Sequence, residues 1–397
     1  MNLTILSLSL SHNYRVSHHF SSFRELNMKK CTFHKFFFEL VSVSDGKSVQ
    51  SYFCRFSSFL SRPICFETSQ YFSIIVGERY TIPADIGLST ANFFDCVFKD
   101  CISNQRGGAI YVENGNIRFV VQRCGFYHCL SNHNQGYSAG AISLCSGRHA
   151  LLTFACFYNC SNNSDPASIQ IVNHLGTLNR TDINNSNICF SGFNEVKAGF
   201  GDMCGGDYFT FNQNNMTRIV SGSTCPGGIV FSVVKFYTEI GKYCQMHSST
   251  GLGFVSSICV PSAYQRWLIN WNFINNTSLT NSWICHWQAS TMIPCFDRCC
   301  FIQNSDCKIT SHSTIPTFTS CSISNLSTSN RVGTHIDTIF DPSPMVLNDI
   351  AFENTQKCWE RLGSDNKNIF TKEIVPFYIN TRFNQNIITF YSLIMIY

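Results

Sequence analysis

The sequence predicts an all-β fold, and more specifically a right-handed parallel β-helix (a solenoid) with short flanking tails. Two short motifs recur in the same order at spacings of 27 to 32 residues. The apolar runs around them are short and are bounded by Gly, Asn, Ser and Asp, as strands are. No stretch of ten or more residues follows the 3.6-residue period of an amphipathic helix, which argues against helical repeats. The right hand follows from the general chirality of parallel β connections.

The first motif is Cys/Ala-x-Phe-x-x-Cys. Its three clearest copies are Cys96–Cys101, Cys124–Cys129 and Ala155–Cys160, and their Phe residues are 28 and 31 positions apart. Residues two apart on a strand point to the same face, so the first residue of each copy and its Phe share a face. Three short strands with three turns take ~20–30 residues, which matches one coil of a parallel β-helix.

The second motif follows the first in each coil. It reads Gly-Gly-Ala-Ile at Gly107–Ile110, Ala-Gly-Ala-Ile at Ala139–Ile142 and Pro-Ala-Ser-Ile at Pro166–Ile169. Equivalent residues of successive coils stack ~4.8 Å apart, so the sequence predicts Phe, Cys and Ala columns inside the coils. The predicted structural ladder consists of Phe98, Phe126, Phe157, Cys101, Cys129, Cys160, Ala109, Ala141 and Ala167.

The repeats divide the chain into three parts. Residues 1–24 are predicted to form an N-terminal leader or cap, residues 25–360 the β-helix repeats, and residues 361–397 a C-terminal tail. The repeats are clearest at 90–175. The region 200–265 is irregular, and we expect longer loops there on the same fold.

Both ends of the sequence are apolar. Met1–Leu10 has no basic segment before its apolar run, so it is a weak match to a secretory signal. Ile387–Tyr397 is shorter than the ~20 residues that span a bilayer. It is interpreted as a terminal strand or packed tail, and the alternative is part of a longer membrane-spanning helix. Membrane association is therefore left open at this point.

Composition excludes several classes of protein. Only 13% of the 397 residues are charged and 44% are hydrophobic. An ordinary soluble domain has ~25% charged residues, and a disordered chain is less apolar than this one. The net charge is only +4, so there is no basic surplus to neutralise phosphates. We therefore predict no nucleic-acid partner.

Cysteine and asparagine usage favours an extracytoplasmic location. The chain has 22 Cys, far above the usage of a cytosolic enzyme, and such numbers are typical of oxidising compartments. The sequence predicts a cell-surface or secreted protein, and candidate N-glycosylation triplets support the same location. These triplets begin at Asn2, Asn159, Asn162, Asn179, Asn184, Asn215, Asn275, Asn276 and Asn325.

The stacked cysteines allow two states. A coil spacing of ~4.8 Å lies inside the ~4.4–6.8 Å Cα window of a disulfide, so bridges between neighbouring coils are allowed at Cys101, Cys129 and Cys160, and between Cys96 and Cys124. The alternative is a column of reduced, buried thiols that act as small apolar side chains. Both alternatives remain open on the sequence alone.

The sequence predicts no metal and no cofactor. Its densest Cys/His group spans Cys285–His286, Cys295, Cys299–Cys300 and Cys307. The spacing from Cys295 to Cys299 supplies only half of a usual zinc pattern. Cys299 also falls in the repeat register with Phe301, so we expect core positions.

No catalytic pattern stands out, and we expect no enzymatic activity. The sequence has no Asp-Asp pair, no P-loop and no Gly-x-Ser-x-Gly elbow. Asp95 and Asp100 flank the first clear repeat, but His128 and Asn159 replace Asp100 in the next two coils. The histidines, His149 among them, are predicted to be ordinary surface or loop residues.

These repeats resemble the polymorphic membrane protein repeats of chlamydial autotransporters, which pair Gly-Gly-Ala-Ile with Phe-x-x-Asn. The matching segments are Gly107–Ile110, Phe211–Asn214, Phe273–Asn276 and Phe301–Asn304, and Cys replaces the Asn in Phe98–Cys101. The chain looks still more like the Cys-rich β-helix surface proteins of trichomonad protists. The resemblance implies a right-handed parallel β-helix and a surface-exposed, adhesin-like role.

Three functional hypotheses follow. The first is a non-catalytic surface or secreted protein that contacts a host or cell-surface glycan or protein. The second is a carbohydrate-active lyase or hydrolase on the same fold, since parallel β-helices host such enzymes. The third is a structural member of the family without a dedicated ligand. Paired carboxylates on adjacent coils would favour the second hypothesis, and an exposed polar and aromatic face would favour the first.

Overall fold

The computed structural model describes residues 2–341 apart from gaps, the longest of which fall at 12–22, 68–88 and 190–201. The predicted tail at 361–397 lies outside the described residues. The described part is built from strands, and it contains no helix that could cross a membrane.

In the described residues, forty-one strands form three long sheets and two short ones. The first sheet contains β1 (Asn2–Leu6), β3 (Glu25–Lys29), β6 (Ser48–Tyr52), β9 (Ser89–Phe94), β13 (Ile117–Gln122), β17 (His149–Thr153), β21 (Arg180–Asn184), β24 (Tyr208–Asn212), β27 (Glu239–Lys242), β31 (Gln265–Ile269), β35 (Ile293–Asp297), β38 (Thr317–Thr319) and β40 (Thr334–Ile336). The second sheet contains β2 (Ser9–Ser11), β4 (Thr32–His34), β7 (Arg55–Ser57), β10 (Val97–Lys99), β14 (Gly125–Tyr127), β18 (Cys156–Tyr158), β22 (Asn187–Cys189), β25 (Asn215–Thr217), β28 (Gln245–His247), β32 (Asn272–Ile274), β36 (Cys300–Ile302), β39 (Ser322–Ile323) and β41 (Ile339–Phe340).

The third sheet contains β5 (Val41–Val43), β8 (Ile64–Glu67), β12 (Ile110–Glu113), β16 (Ile142–Ser146), β20 (Ile169–Ile171), β23 (Asp202–Gly205), β26 (Ile229–Ser232), β30 (Val255–Ile258), β34 (Trp283–Trp287) and β37 (Lys308–Thr310). The short sheets contain β11 (Ile102–Ser103), β15 (Leu130–Ser131) and β19 (Ser161–Asn162), and β29 (Thr250–Gly251) with β33 (Thr277–Ser278).

The strands are arranged as successive coils. In each long sheet the order follows the chain and skips the strands of the other sheets, and neighbouring strands pair in parallel. Each full coil therefore contributes one strand to each long sheet, which confirms the predicted parallel β-helix. The first coil already includes β1 and β2 from the N-terminal segment. The third sheet continues through β23, β26 and β30, so the irregular region keeps the same architecture.

A column of phenylalanine rings fills the interior behind the second sheet. Phe98 and Phe126 stack with ring centroids 4.9 Å apart and 2° between the planes, and Phe126 and Phe157 stack at 4.8 Å and 6°. Phe56 and Phe33 extend the same column towards the N-terminus, at 4.8 Å and 5.4 Å. All five side chains are buried. One coil lacks enough apolar surface to bury its own ring, so the column requires neighbouring coils.

Left-handed backbone makes the two corners on either side of the second sheet. In the described residues, a single residue with positive φ follows most first-sheet strands at the first corner, and another follows most second-sheet strands at the second corner. This conformation costs ~1–2 kcal/mol for most residues but is easier for Asn and Asp. At the first corner these residues are Ser7, Lys30, Phe53, Asp95, Arg123, Phe154, Gln213, Tyr243, Asn270, Arg298, Ser320 and Asp337. At the second they are Lys35, Ser58, Asp100, His128, Asn159, Arg218, Ser248, Asn275, Gln303 and Asp341.

Where Cys or Asn follows a corner, its side chain is buried and bonds to main-chain carbonyls. The Sγ of Cys96 donates to the Ser51 carbonyl of the previous coil at 3.4 Å. At the second corner the Sγ of Cys129 donates to the Phe98 carbonyl at 3.6 Å, and Asn304 does the same to Phe273 through Nδ2 at 2.9 Å. Cys and Asn therefore form the same kind of hydrogen bond at this position, which explains why some coils carry Phe-x-x-Cys and others Phe-x-x-Asn.

The stacked cysteines carry free thiols. Cys101, Cys129 and Cys160, like Cys96 and Cys124, form no disulfide, which settles the alternative at these positions in favour of the reduced column. Their sulfurs are directed at carbonyl oxygens, and burial raises the pKa of the Cys129 and Cys160 thiols well above its usual value.

The chain does contain a disulfide, which involves Cys156. Cys156 is the first residue of β18, so it lies beside the buried Phe157 and outside both of the predicted cysteine columns. This disulfide therefore lies outside the stacked positions at which the sequence allowed a bridge.

The second motif forms the crowded entry to the third sheet. Ala109 donates its N–H to the Ala141 carbonyl at 3.1 Å, and Ala141 donates to Ser168 at 2.9 Å. Because Ile142 pairs with Ile169, the third place in this column belongs to Ser168. Ala167, which was predicted for that place, lies outside the described residues.

Candidate binding surface on the first sheet

The outer face of the first sheet carries accessible side chains on several coils. Along β9 the side chains alternate, so Asn92 and Phe94 are partly exposed whereas Ala91 and Phe93 are buried. Accessibility varies along the second sheet, where the outward-facing Tyr127 is only 1% exposed but Arg55 is exposed. On the first sheet, partly exposed polar and aromatic side chains lie on the neighbouring strands β3, β6 and β9, which makes this face a candidate binding surface.

Two neighbouring patches on this face carry chemistry. The aromatic–amide patch lies on β3, β6 and β9 and at the corner after β6, and the basic patch lies on β13, β17 and β21 and at the residue before β17. The aromatic–amide patch consists of Glu25, Asn27, Gln50, Tyr52, Phe53, Asn92 and Phe94. The basic patch consists of Arg118, Arg148, His149, Arg180 and Asp182.

Aromatic rings form one edge of the first patch. Tyr52 and Phe94 are register partners, and their rings stack with centroids 5.1 Å apart and 11° between the planes. Phe53 follows at the corner with φ 54° and is 56% exposed. A ring that remains this exposed in a folded protein contributes little to the core, so its apolar face is open to a partner.

Polar groups beside these rings are already oriented by one another. The Oε1 of Glu25 accepts hydrogen bonds from Asn27 Nδ2 at 3.2 Å and from Gln50 Nε2 at 3.4 Å. The Tyr52 hydroxyl donates to Gln50 Oε1 at 2.9 Å. Asn27, Gln50 and Asn92 are register partners on three successive strands, so their amides form a short column next to the rings.

The basic patch is a column of two arginines and a histidine, with a third arginine beside it. Arg118 pairs in register with His149, and His149 with Arg180, so the three lie on consecutive coils. Arg118 and Arg148 are exposed, and neither forms an ion pair within the described part of the chain. The side chain of Arg180 is 58% exposed.

Asp182 is the buried anchor of this column. Its Oδ2 accepts from Arg180 Nε at 2.6 Å and lies 3.3 Å from His149 Nε2, and its Oδ1 accepts from the Thr210 hydroxyl at 2.6 Å. Burial alone raises the pKa of Asp182, but the hydrogen bonds from His149, Arg180 and Thr210 outweigh burial and lower it to about 2. Asp182 therefore stays charged and fixes side chains on three successive coils.

The residues predicted from the repeats are all interior. Every described member of the predicted ladder is at most 1% exposed, so these side chains hold the coils together and are out of reach of a ligand. Cys285, Cys295 and Cys299 lie on the third sheet, the first sheet and a corner, respectively, while Cys307 lies outside the described residues. Among the described residues no group of three or more His, Cys, Asp and Glu side chains could hold a metal ion.

Sequence reasoning missed both patches. His149 belongs to a strand and contacts Asp182, although it was predicted to be an ordinary surface or loop residue. The available signal was the alternation of outward and inward residues along each first-sheet strand. That signal becomes readable only when the coil register is known, because exposed positions share no residue type.

Comparison of the chain with models of known protein families, with curated proteins and with solved structures finds no match.

Proposed function

We propose that this protein is a non-catalytic surface or secreted β-helix protein that binds cell-surface or host glycans through the outer face of its first sheet. The observation that carries the proposal is the aromatic–amide patch, in which exposed rings lie beside pre-oriented amide groups. The resemblance to polymorphic membrane proteins and to trichomonad surface proteins supports an adhesin-like role, and the many cysteines and sequons support an extracytoplasmic location.

The chemistry of the patch suits sugars. An exposed ring presents an apolar face for the C–H side of a pyranose, and the side chains of Tyr52, Phe53 and Phe94 offer such faces in one short row. Asn27, Gln50 and Asn92 each carry an amide with one acceptor oxygen and two N–H donors, groups that can pair with sugar hydroxyls. Because Glu25 already holds the amides of Asn27 and Gln50, less of their rotamer freedom is lost on binding.

Binding fits this face better than glycoside chemistry does. Glycosidases use two carboxylates ~5–10 Å apart. The acidic residues of the first-sheet strands are Glu25, Asp182, Glu239 and Asp297, and no two of them lie on neighbouring strands, so strand spacing separates even the nearest two by ~10 Å, at the upper limit of that range. A carbohydrate-active enzyme remains the alternative, and the experiment below includes its readout.

The test is capture of the purified protein by glycan arrays and by intact cells, with Phe53→Ala as the variant. Phe53 is an exposed corner residue, so its truncation leaves the fold intact and removes one ring of the patch. The matched control is Tyr243→Ala, which truncates an exposed aromatic residue at the equivalent corner of a distant coil. We expect a loss of capture of about tenfold for the first variant, as for other aromatic contacts at interfaces, and none for the second.

Two outcomes contradict the proposal. Equal capture of both variants would remove the patch from the binding surface. Release of new reducing ends or unsaturated products from a bound polysaccharide would show catalysis and would establish the alternative.

A further inference from the structure

We infer that the basic patch binds a linear polyanionic polysaccharide, carboxylated or sulfated, that runs along the axis of the coils. The inference rests on the proposed function, because it names the class of glycan that the same face of the first sheet takes. The observation that carries it is the stacked column of Arg118, His149 and Arg180, together with the neighbouring Arg148. None of these residues belongs to the aromatic–amide patch.

The charge of this region is one-sided. Neither β9, β13, β17 nor β24 contains an Asp or Glu, and β21 contains only Asp182. Both carboxylate oxygens of Asp182 already contact Arg180, His149 or Thr210, and its side chain is only 7% exposed. A ligand therefore meets the guanidinium groups and does not meet the carboxylate. The chain as a whole has a net charge of only +4, so this column is a local feature.

The geometry repeats along one direction. Successive strands of a parallel sheet lie ~4.8 Å apart, so Arg118 and Arg180, two strands apart, present positive charge ~10 Å apart along the axis. Such a periodic row complements an extended polymer whose negative charges also recur along its length. Arg in particular binds carboxylate and sulfate through paired N–H donors.

The surroundings favour a polysaccharide over a nucleic acid. Neighbouring outward positions of the same face include Thr90, Asn92, Thr153 and Thr210, whose hydroxyl and amide groups pair with sugar hydroxyls. A nucleic acid would require a larger basic surplus, and the net charge of the chain is only +4. The basic patch also begins on the strand next to the aromatic–amide patch, so one polymer chain can cross both.

The experiment measures binding to immobilised heparin (sulfated), polygalacturonate (carboxylated), dextran (neutral) and duplex DNA. The variant is Arg118→Gln combined with Arg148→Gln, two exposed side chains without an ion pair in the described residues. The matched control is Arg55→Gln, an exposed arginine on the second sheet. We expect binding to heparin or polygalacturonate that exceeds binding to dextran, falls with salt, is lost by tenfold or more in the double variant and is retained in the control.

Four results overturn the inference. The first three are equal affinity of the double variant and wild type for both polyanions, equal loss in the Arg55→Gln control, and binding to duplex DNA as tight as binding to the polysaccharides. The fourth is failure of the wild-type protein to bind either immobilised polyanion. If cell capture still depends on Phe53 in that case, the proposed function stands without this ligand class, so the two failures are distinguishable.

Discussion

Truncation of Phe126 to alanine removes the ring at the centre of the interior column. The ring is fully buried and is stacked on both faces, against Phe98 at 4.9 Å and Phe157 at 4.8 Å. The substitution therefore deletes two ring contacts and leaves a cavity that is bounded above and below by rings held in register by strand pairing.

The expected loss of stability follows from these contacts. Burial of a Phe side chain contributes ~1.5–3 kcal/mol, and each aromatic pair adds ~0.5–1.5 kcal/mol beyond burial. The sum agrees with the ~3–5 kcal/mol that Phe→Ala substitutions cost in protein cores. In a solenoid the effect is local, because each coil contacts only its neighbours.

The assay combines denaturant unfolding with native-state hydrogen exchange. We expect the midpoint to fall and the amides of β10, β14 and β18 to lose protection more than those of distant coils. Phe53→Ala is the control, since an exposed ring should change the free energy of unfolding by less than ~0.5 kcal/mol. A midpoint for Phe126→Ala equal to that of wild type would refute the stacked column.

Three further predictions follow from the same structure. Gly108→Ala should destabilise the fold, as a Cβ there would lie 2.1 Å from the Gly140 carbonyl oxygen, and thermal unfolding would show a lowered midpoint; an unchanged midpoint contradicts the close approach. The folded-state pKa of Asp182 is lowered from 3.8 to about 2, so its contribution to stability is complete above pH ~4 and is lost as the pH falls towards 2. When unfolding is measured as a function of pH, Asp182→Asn should reduce this loss of stability in acid. An identical pH profile for the variant and wild type would argue against the anchor. In a secretory expression host, peptide mapping should find N-glycan on the exposed Asn275 and none on the neighbouring Asn276. The Asn276 side chain is buried and donates to the Met246 carbonyl at 3.1 Å, so occupancy of Asn276 would contradict its place in the second corner.

The interior of the coils was predictable because buried positions repeat in kind. Phe98 and Phe126 occupy the same column, and the sequence shows their spacing directly. The pattern fades at 200–265 because the column there contains Met216 and Met246, which fill the same space without repeating the residue type. At the first corner Trp271 takes the place of Cys and bonds to the Gly241 carbonyl through its indole N–H, a substitution that no spacing rule anticipates.

The outer face could not be predicted in the same way. Outward-facing positions such as Phe94, Gln122 and Thr153 are register partners yet share no chemistry, because water imposes no common requirement on them. The third member of the Ala column shows a related limit. Small residues occur at both Ala167 and Ser168, so composition alone left the register uncertain by one position, and strand pairing selects Ser168.

The central structural claim is that residues one coil apart lie directly beside each other on the first sheet. The most direct measurement uses a short thiol cross-linker, dibromobimane, on the pair Thr90→Cys and Arg118→Cys, which are register partners ~4.8 Å apart. The comparison pair is Thr90→Cys with Val120→Cys, which is displaced along the strand by two residues, ~7 Å. Peptide mapping should find the cross-link in the first pair and little in the second. Equal cross-linking in both pairs, or its failure in the first, would contradict the coil register on which the fold and both binding patches depend.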